Sequence, residues 1–153
     1  MCIRDRVEAA RAVQLDPDNP VAHMVHGRVL TALGRFDDAK REFGLSGGLS
    51  SGPDNVREEI ASADADAGHR AEALAVAAAL EREFAKAPAR EQPELLGYLY
   101  ARLGDADKAF AWLTRAFETQ PDRMLWLKVD PRVQSLRHDP RFAALLARLD
   151  LQP

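Results

Sequence analysis

Residues 91–121 read EQPELLGYLYARLGDADKAFAWLTRAFETQP, and this stretch decides the fold. Leu96, Leu99, Tyr100 and Leu103 recur at three- and four-residue spacing, which sets four large apolar groups on one face of a helix. Gly104 follows, where a helix end calls for a residue that tolerates positive φ. Asp105 is placed to cap a second helix, whose apolar residues are Ala109, Phe110, Leu113, Ala116 and Phe117. Pro121 stops that helix, because proline has no N–H to continue the ladder. The small residues Gly97, Ala109 and Ala116 let the two helices approach closely.

The same pattern recurs upstream. Gly34, Gly68 and Gly104 stand 34 and 36 residues apart, as do Ala39, Ala73 and Ala109. A helix–turn–helix unit at a period of about 34 residues marks a repeat array, in which each unit buries its apolar face against the next.

On these residues the chain resembles the tetratricopeptide repeat family over nearly all of its length. The fold this implies is all-α: a right-handed α-solenoid of antiparallel helix pairs. It has about three units after a half repeat, and a short helical C-terminal cap. The expected divisions are the second helix of a truncated repeat over 7–19, repeats over 20–53, 54–89 and 90–121, and the cap over 122–153. Residues 1–6, MCIRDR, look like a translated sequencing-adapter scar and are set aside as non-native. The authentic sequence is then expected to start near Val7, partway through a helix.

In residues 7–15, Val7, Ala9, Ala10 and Val13 keep helical spacing. Pro17 closes that helix and Asn19 can cap the next. The first full repeat carries Val21, Ala22, Val25, Val29, Leu30 and Leu33, with Gly27 as its small contact position. Phe36, Ala39 and Phe43 follow on its second helix. Residues 44–53, GLSGGLSSGP, contain three glycines, each disfavouring helix by about 1 kcal/mol relative to alanine. An early helix end and a flexible connector are expected there. In the second repeat Val56, Ile60, Ala63 and Ala67 form a thin stripe. Asp64 falls where the family usually has a large apolar residue. The partner helix is alanine-rich, with Leu74, Leu80 and Phe84.

After Pro121 the character changes. Asp130-Pro131 and Asp139-Pro140 each place a capping carboxylate before a proline at the first helical position. Residues 126–151, WLKVDPRVQSLRHDPRFAALLARLDL, are similar to a tail that follows tetratricopeptide repeats in many bacterial multidomain signalling proteins. Serine/threonine kinases, winged-helix regulators and nucleotide cyclases are among these. A repeat stack ends on an exposed apolar face and needs a cap, and Met124, Leu127, Leu136, Phe142 and Leu146 are the residues to supply it.

Composition narrows the function. The 153 residues carry a formal net charge of −3, with basic residues scattered among acids, so no nucleic-acid footprint is expected. No apolar run reaches the ~18 residues of a membrane span. The single cysteine, Cys2, leaves no intrachain disulfide. No cofactor is expected: the glycine-rich 44–53 lacks the lysine of a phosphate-binding GxxxxGK[ST] loop. No metal site is expected either, since His23 and His26 lie three apart without a third ligand nearby. Asp64 with Asp66, and Glu58 with Glu59, read as solvated helix faces rather than acid–base pairs. Ser50 and Ser51 have no recognisable base. The chain is therefore expected not to be an enzyme.

The resemblance implies instead a protein or peptide partner, gripped in a groove lined by the first helix of each repeat, and a cytoplasmic setting. By matched spacing the groove residues are Val21, Met24, Arg28, Asn55, Glu58, Ser62, Glu94, Tyr98 and Arg102. Family members that grip a partner's terminal carboxylates use a Lys/Asn cluster on these helices, and Asn55 alone remains of it. Arg28 and Arg102 are suited to an acidic side chain, and Tyr98 to stacking. Trp112 and Trp126 are further anchor candidates; Trp112 lies three after Ala109, beside the core stripe, and is expected to pack against the terminal cap. The expected role is a scaffold module at the C-terminal end of a bacterial signalling or regulatory protein. Alternatives are a free-standing adaptor and a small-ligand sensor attached to an enzyme.

Overall fold

The computed structural model describes residues 3–48, 53–88 and 92–150. Regular structure among them is helical, without a strand, as an α-solenoid of helix pairs requires. The α-helices are α1 (Ile3–Leu15), α2 (Pro20–Ala32), α3 (Phe36–Gly48), α4 (Pro53–Asp66), α5 (Arg70–Lys86), α6 (Pro93–Arg102), α7 (Ala106–Thr119) and α8 (Pro140–Arg148). Two 3₁₀ turns, Pro121–Met124 and Pro131–Leu136, separate α7 from α8. The first helix starts at Ile3, within the residues 1–6 set aside above as non-native. Met1 and Cys2 lie outside the described residues.

Three helix ends share one device. Gly34, Gly68 and Gly104 have φ of 73°, 88° and 74°, a region that costs a side-chain-bearing residue strain. Each donates its N–H three residues back, to Thr31, Ala65 and Ala101, and the next residue donates five back, to Leu30, Asp64 and Tyr100. These paired bonds satisfy the orphan carbonyls of the last turn, in the Schellman arrangement. The starts follow the sequence as closely. Asn19 Oδ1 accepts from the N–H groups of Val21 (3.0 Å) and Ala22 (3.2 Å). Asp105, Asp130 and Asp139 accept from the N–H groups of Lys108, Arg132 and Arg141.

Two compact units result, Met1–Glu72 and Ala73–Pro153. In the first, α2 packs on α3 and α3 on α4 around Met24, Leu30, Ala39, Phe43, Val56 and Ala63, with Phe36 and Ile60 against them. Gly27 admits the Phe43 ring: a Cβ there would stand 2.6 Å from Phe43 Cδ1. Val21, Val25 and Leu33, expected on the apolar stripe, are exposed, while His23 and Met24 are buried.

The glycine-rich segment departs from expectation. Helix α3 continues through Gly44 and Gly47 to Gly48. Its last turn is held by packing that outweighs propensity: Ser46 is buried and donates to Pro20 O at 2.8 Å. Gly47 faces Val56 so closely that a Cβ would meet Val56 Cγ2 at 3.2 Å. Residues 49–52 lie outside the described residues. Asp64 is also resolved. It accepts from Lys40 Nζ at 2.8 Å, so a cross-helix ion pair stands at the position where the resembled family usually has a large apolar residue.

In the second unit α5 buries Ala73, Ala77, Leu80 and Phe84, while Leu74 is exposed. Helices α6 and α7 meet through Gly97, where a Cβ would lie 2.7 Å from Leu113 Cγ. Ala109, Leu113 and Ala116 are fully buried. Substituting tryptophan at Ala109 should therefore overpack this crossing by about 1–3 kcal/mol or more. A thermal melt of Ala109→Trp matching that of the parent would contradict the register. The segment after α7 packs back onto α6 and α7, burying Met124, Leu127, Val133, Leu136, Phe142, Leu145 and Leu146. Arg141 and Arg148 stack over Phe110 (4.4 Å) and Phe117 (4.3 Å).

Candidate functional site

The nine groove positions fall on α2, α4 and α6 and meet different fates. In the first unit Val21 is 66% exposed and Arg28 is exposed, whereas Met24, Glu58 and Ser62 are buried and Asn55 is half-buried. Met24 belongs to the core. Arg28 reaches across from α2, its Nε donating to Glu59 Oε1 at 2.6 Å. Ser62 donates to Glu58 Oε1 at 2.7 Å, inside the protein. Glu58 and Glu59 are thus not the solvated pair their sequence suggested. Both are buried and are held by hydrogen bonds, as buried carboxylates must be.

In the second unit Glu94 and Tyr98 are buried and Arg102 is half-buried. Residues of the following segment lie on this face of α6. Arg123 Nη1 donates to Glu94 Oε1 at 2.9 Å. The Arg132 guanidinium sits 3.9 Å from the Tyr98 ring centroid, fixed by Asp130 through Nε (3.0 Å) and Nη2 (2.7 Å). Ser135 Oγ donates to Ala101 O at 3.0 Å. Sequence spacing gave no sign that Arg123 and Arg132 meet α6, because Glu94 lies 29 residues from Arg123 and Tyr98 lies on a different element from Arg132. Tyr100, on the opposite side, donates to Glu81 Oε1 at 2.8 Å. Burial, with that bond and the charges of Glu81 and Asp105, holds its hydroxyl well above the usual phenol range.

The two tryptophans differ. Trp112 is half-buried, with Arg115 5.8 Å above its ring. Trp126 is 74% exposed, between exposed Leu125 and Val129.

His23 and His26 converge on one carboxylate. His23, 4% exposed, has Nδ1 2.6 Å from Glu42 Oε2 and Nε2 2.8 Å from Pro17 O. A carbonyl oxygen only accepts, so Nε2 carries a proton, and the short Nδ1 contact needs another. His26 Nδ1 lies 3.2 Å from Glu42 Oε1. Burial opposes charge on His23. The bonds to Pro17 and Glu42, with the charges of Glu42 and Asp18, outweigh it and raise its pKa above the ordinary imidazole value. A raised folded-state pKa adds stability that is full below the unfolded-state pKa of about 6.5 and is lost as pH rises through the folded value. Melting temperature should therefore fall as pH rises above neutrality, and His23→Gln should flatten that slope. Melts over pH 5.5–9 that run parallel for both proteins would contradict the pairing.

Among the described residues no group of three or more His, Cys, Asp or Glu side chains is placed to hold a metal ion. No helix there is long and apolar enough to cross a membrane. Ser50 and Ser51 lie outside the described residues. No curated protein and no solved structure matches the chain. Residues 94–123, which span α6, its glycine turn, α7 and the start of the following segment, match the family model of the tetratricopeptide repeat. The α6–α7 pair is thus similar to one such repeat, and the match supports that family for the chain.

Proposed function

We propose that this chain is a non-enzymatic protein-binding scaffold module. The α6–α7 hairpin, with its family match over 94–123, carries the reading, since tetratricopeptide repeats are typically non-catalytic interaction modules. The three glycine turns of one geometry support extending the repeat reading over 20–53, 54–89 and 90–121, with 122–153 as the cap. The tail's VDPR and DPRF segments favour a C-terminal position in a bacterial signalling or transcription-regulatory protein. The groove of the matched spacing remains the proposed binding face, and Val21 and Arg28 are its exposed members in the first unit.

Selection from a displayed peptide library tests this. Selected peptides should bind saturably and lose about tenfold or more in affinity with Val21→Asp plus Arg28→Gln, a change of about 1.4 kcal/mol. Circular dichroism should show the variant folded. Failure to select any peptide, together with a thermal shift by a small metabolite, would replace the scaffold reading with that of a ligand sensor.

A further inference from the structure

The face of α6 that carries Glu94 is half-occupied by the chain itself. Glu94 is buried, with only 6% of its side chain exposed. Arg123 bonds to one of its oxygens. The other, Oε2, is buried without a hydrogen-bond partner among the described residues. A buried carboxylate oxygen left unbonded is costly, and a guanidinium presenting two parallel N–H groups satisfies both oxygens at once. Arg123 does not achieve this. Its side chain is 43% exposed, and it springs from a 3₁₀ turn of four residues, Pro121–Met124. One turn further along α6 the same face already holds a second guanidinium, Arg132 over Tyr98.

We infer that Glu94 is the arginine-accepting site of the proposed binding face, that Arg123 is its placeholder in cis, and that the partner is a polypeptide presenting an arginine side chain. This rests on the protein-binding reading and adds the partner's chemistry to it. The exchange involves side chains alone. The backbone around Arg123 stays anchored by Met124 and Leu127, both fully buried. Arg132 also stays, because Asp130 holds it by two nitrogens. A lysine ammonium is a single point of charge and cannot bridge both oxygens in this planar fashion, so the site discriminates between the two cations.

The test uses the full chain and Nα-acetyl-arginine amide as the probe, with the lysine and citrulline analogues as controls. The Glu94 side-chain carboxyl resonance is followed by 13C NMR in the parent, in Arg123→Ala, and in Arg123→Ala with Glu94→Gln. The arginine probe should shift the Glu94 signal saturably in Arg123→Ala. In the parent it should bind about tenfold more weakly, the reduction imposed by a placeholder that fills the site nine-tenths of the time. In the parent it should also move the Arg123 Nε–H resonance toward that of a solvated guanidinium. The citrulline analogue should do nothing, and Glu94→Gln should abolish binding. An equal response to the lysine probe would overturn the arginine assignment. An unmoved Arg123 resonance in the parent at saturating probe would overturn the exchange, and it reads out even if Arg123→Ala fails to fold. Library peptides that bind saturably but show no arginine preference would sink this inference while leaving the scaffold reading intact.

Discussion

Replacing Phe43 with alanine should destabilise the first unit by about 3–5 kcal/mol, read as a lower urea midpoint. Phe43 is fully buried, and its ring lies in the gap that Gly27 leaves in α2. Removing the ring forfeits its transfer free energy and also opens a cavity that neighbouring helices cannot close without moving. Against a typical domain stability of about 5–15 kcal/mol this is a third or more of the total. A companion variant makes the cause specific. Gly27→Ala on its own should cost about 1–3 kcal/mol, because the new methyl group runs into the ring. In the Phe43→Ala background most of that cost should vanish, since the obstacle is gone. The two sites are in contact, so their effects must be non-additive. Additive losses would mean that the ring does not occupy the Gly27 notch, and a loss under about 1 kcal/mol for Phe43→Ala would remove it from the core.

Deleting residues 125–153 should cost the second unit its monomeric solubility. The deletion takes away Leu127, Val133, Leu136, Phe142, Leu145 and Leu146, all buried. Each such side chain is worth about 1.5–3 kcal/mol when fully removed from water. It also removes Arg132 from the face of Tyr98 and Ser135 from the Ala101 carbonyl. The surfaces of α6 and α7 that this segment covers then face water as a contiguous apolar patch, which promotes association. Size-exclusion chromatography with light scattering should show aggregates, and binding of a hydrophobic dye should rise. A truncated chain that is monomeric and melts like the parent would show that the segment is not a cap.

What the sequence determined by itself is what depends on neighbours in the chain. The glycine turns at 34, 68 and 104, the caps Asn19, Asp105, Asp130 and Asp139, and the stop at Pro121 were legible. Each rests on the φ range or side-chain reach of one residue acting within five positions. The close contacts at Gly27 and Gly97 were also legible, because a missing side chain inside an apolar helix stripe has few other uses.

The tertiary structure decided what depends on distant partners. Glycine propensity ended α3 near Gly44, but the helix runs on to Gly48, its last turn tied by the bond from buried Ser46 to Pro20, 26 residues away. Glu59 read as solvated and Glu94 as lining an open groove, and both are buried against arginines. Arg28 lies 31 residues from Glu59, and Arg123 lies 29 from Glu94. His23 and Glu42, separated by 19 residues, form a part-buried pair for the same reason. Helical spacing tells which way a side chain faces on its own helix. It carries no information about which charge the folded chain brings to meet it, and that meeting sets whether a carboxylate or imidazole is buried, paired or open to a partner.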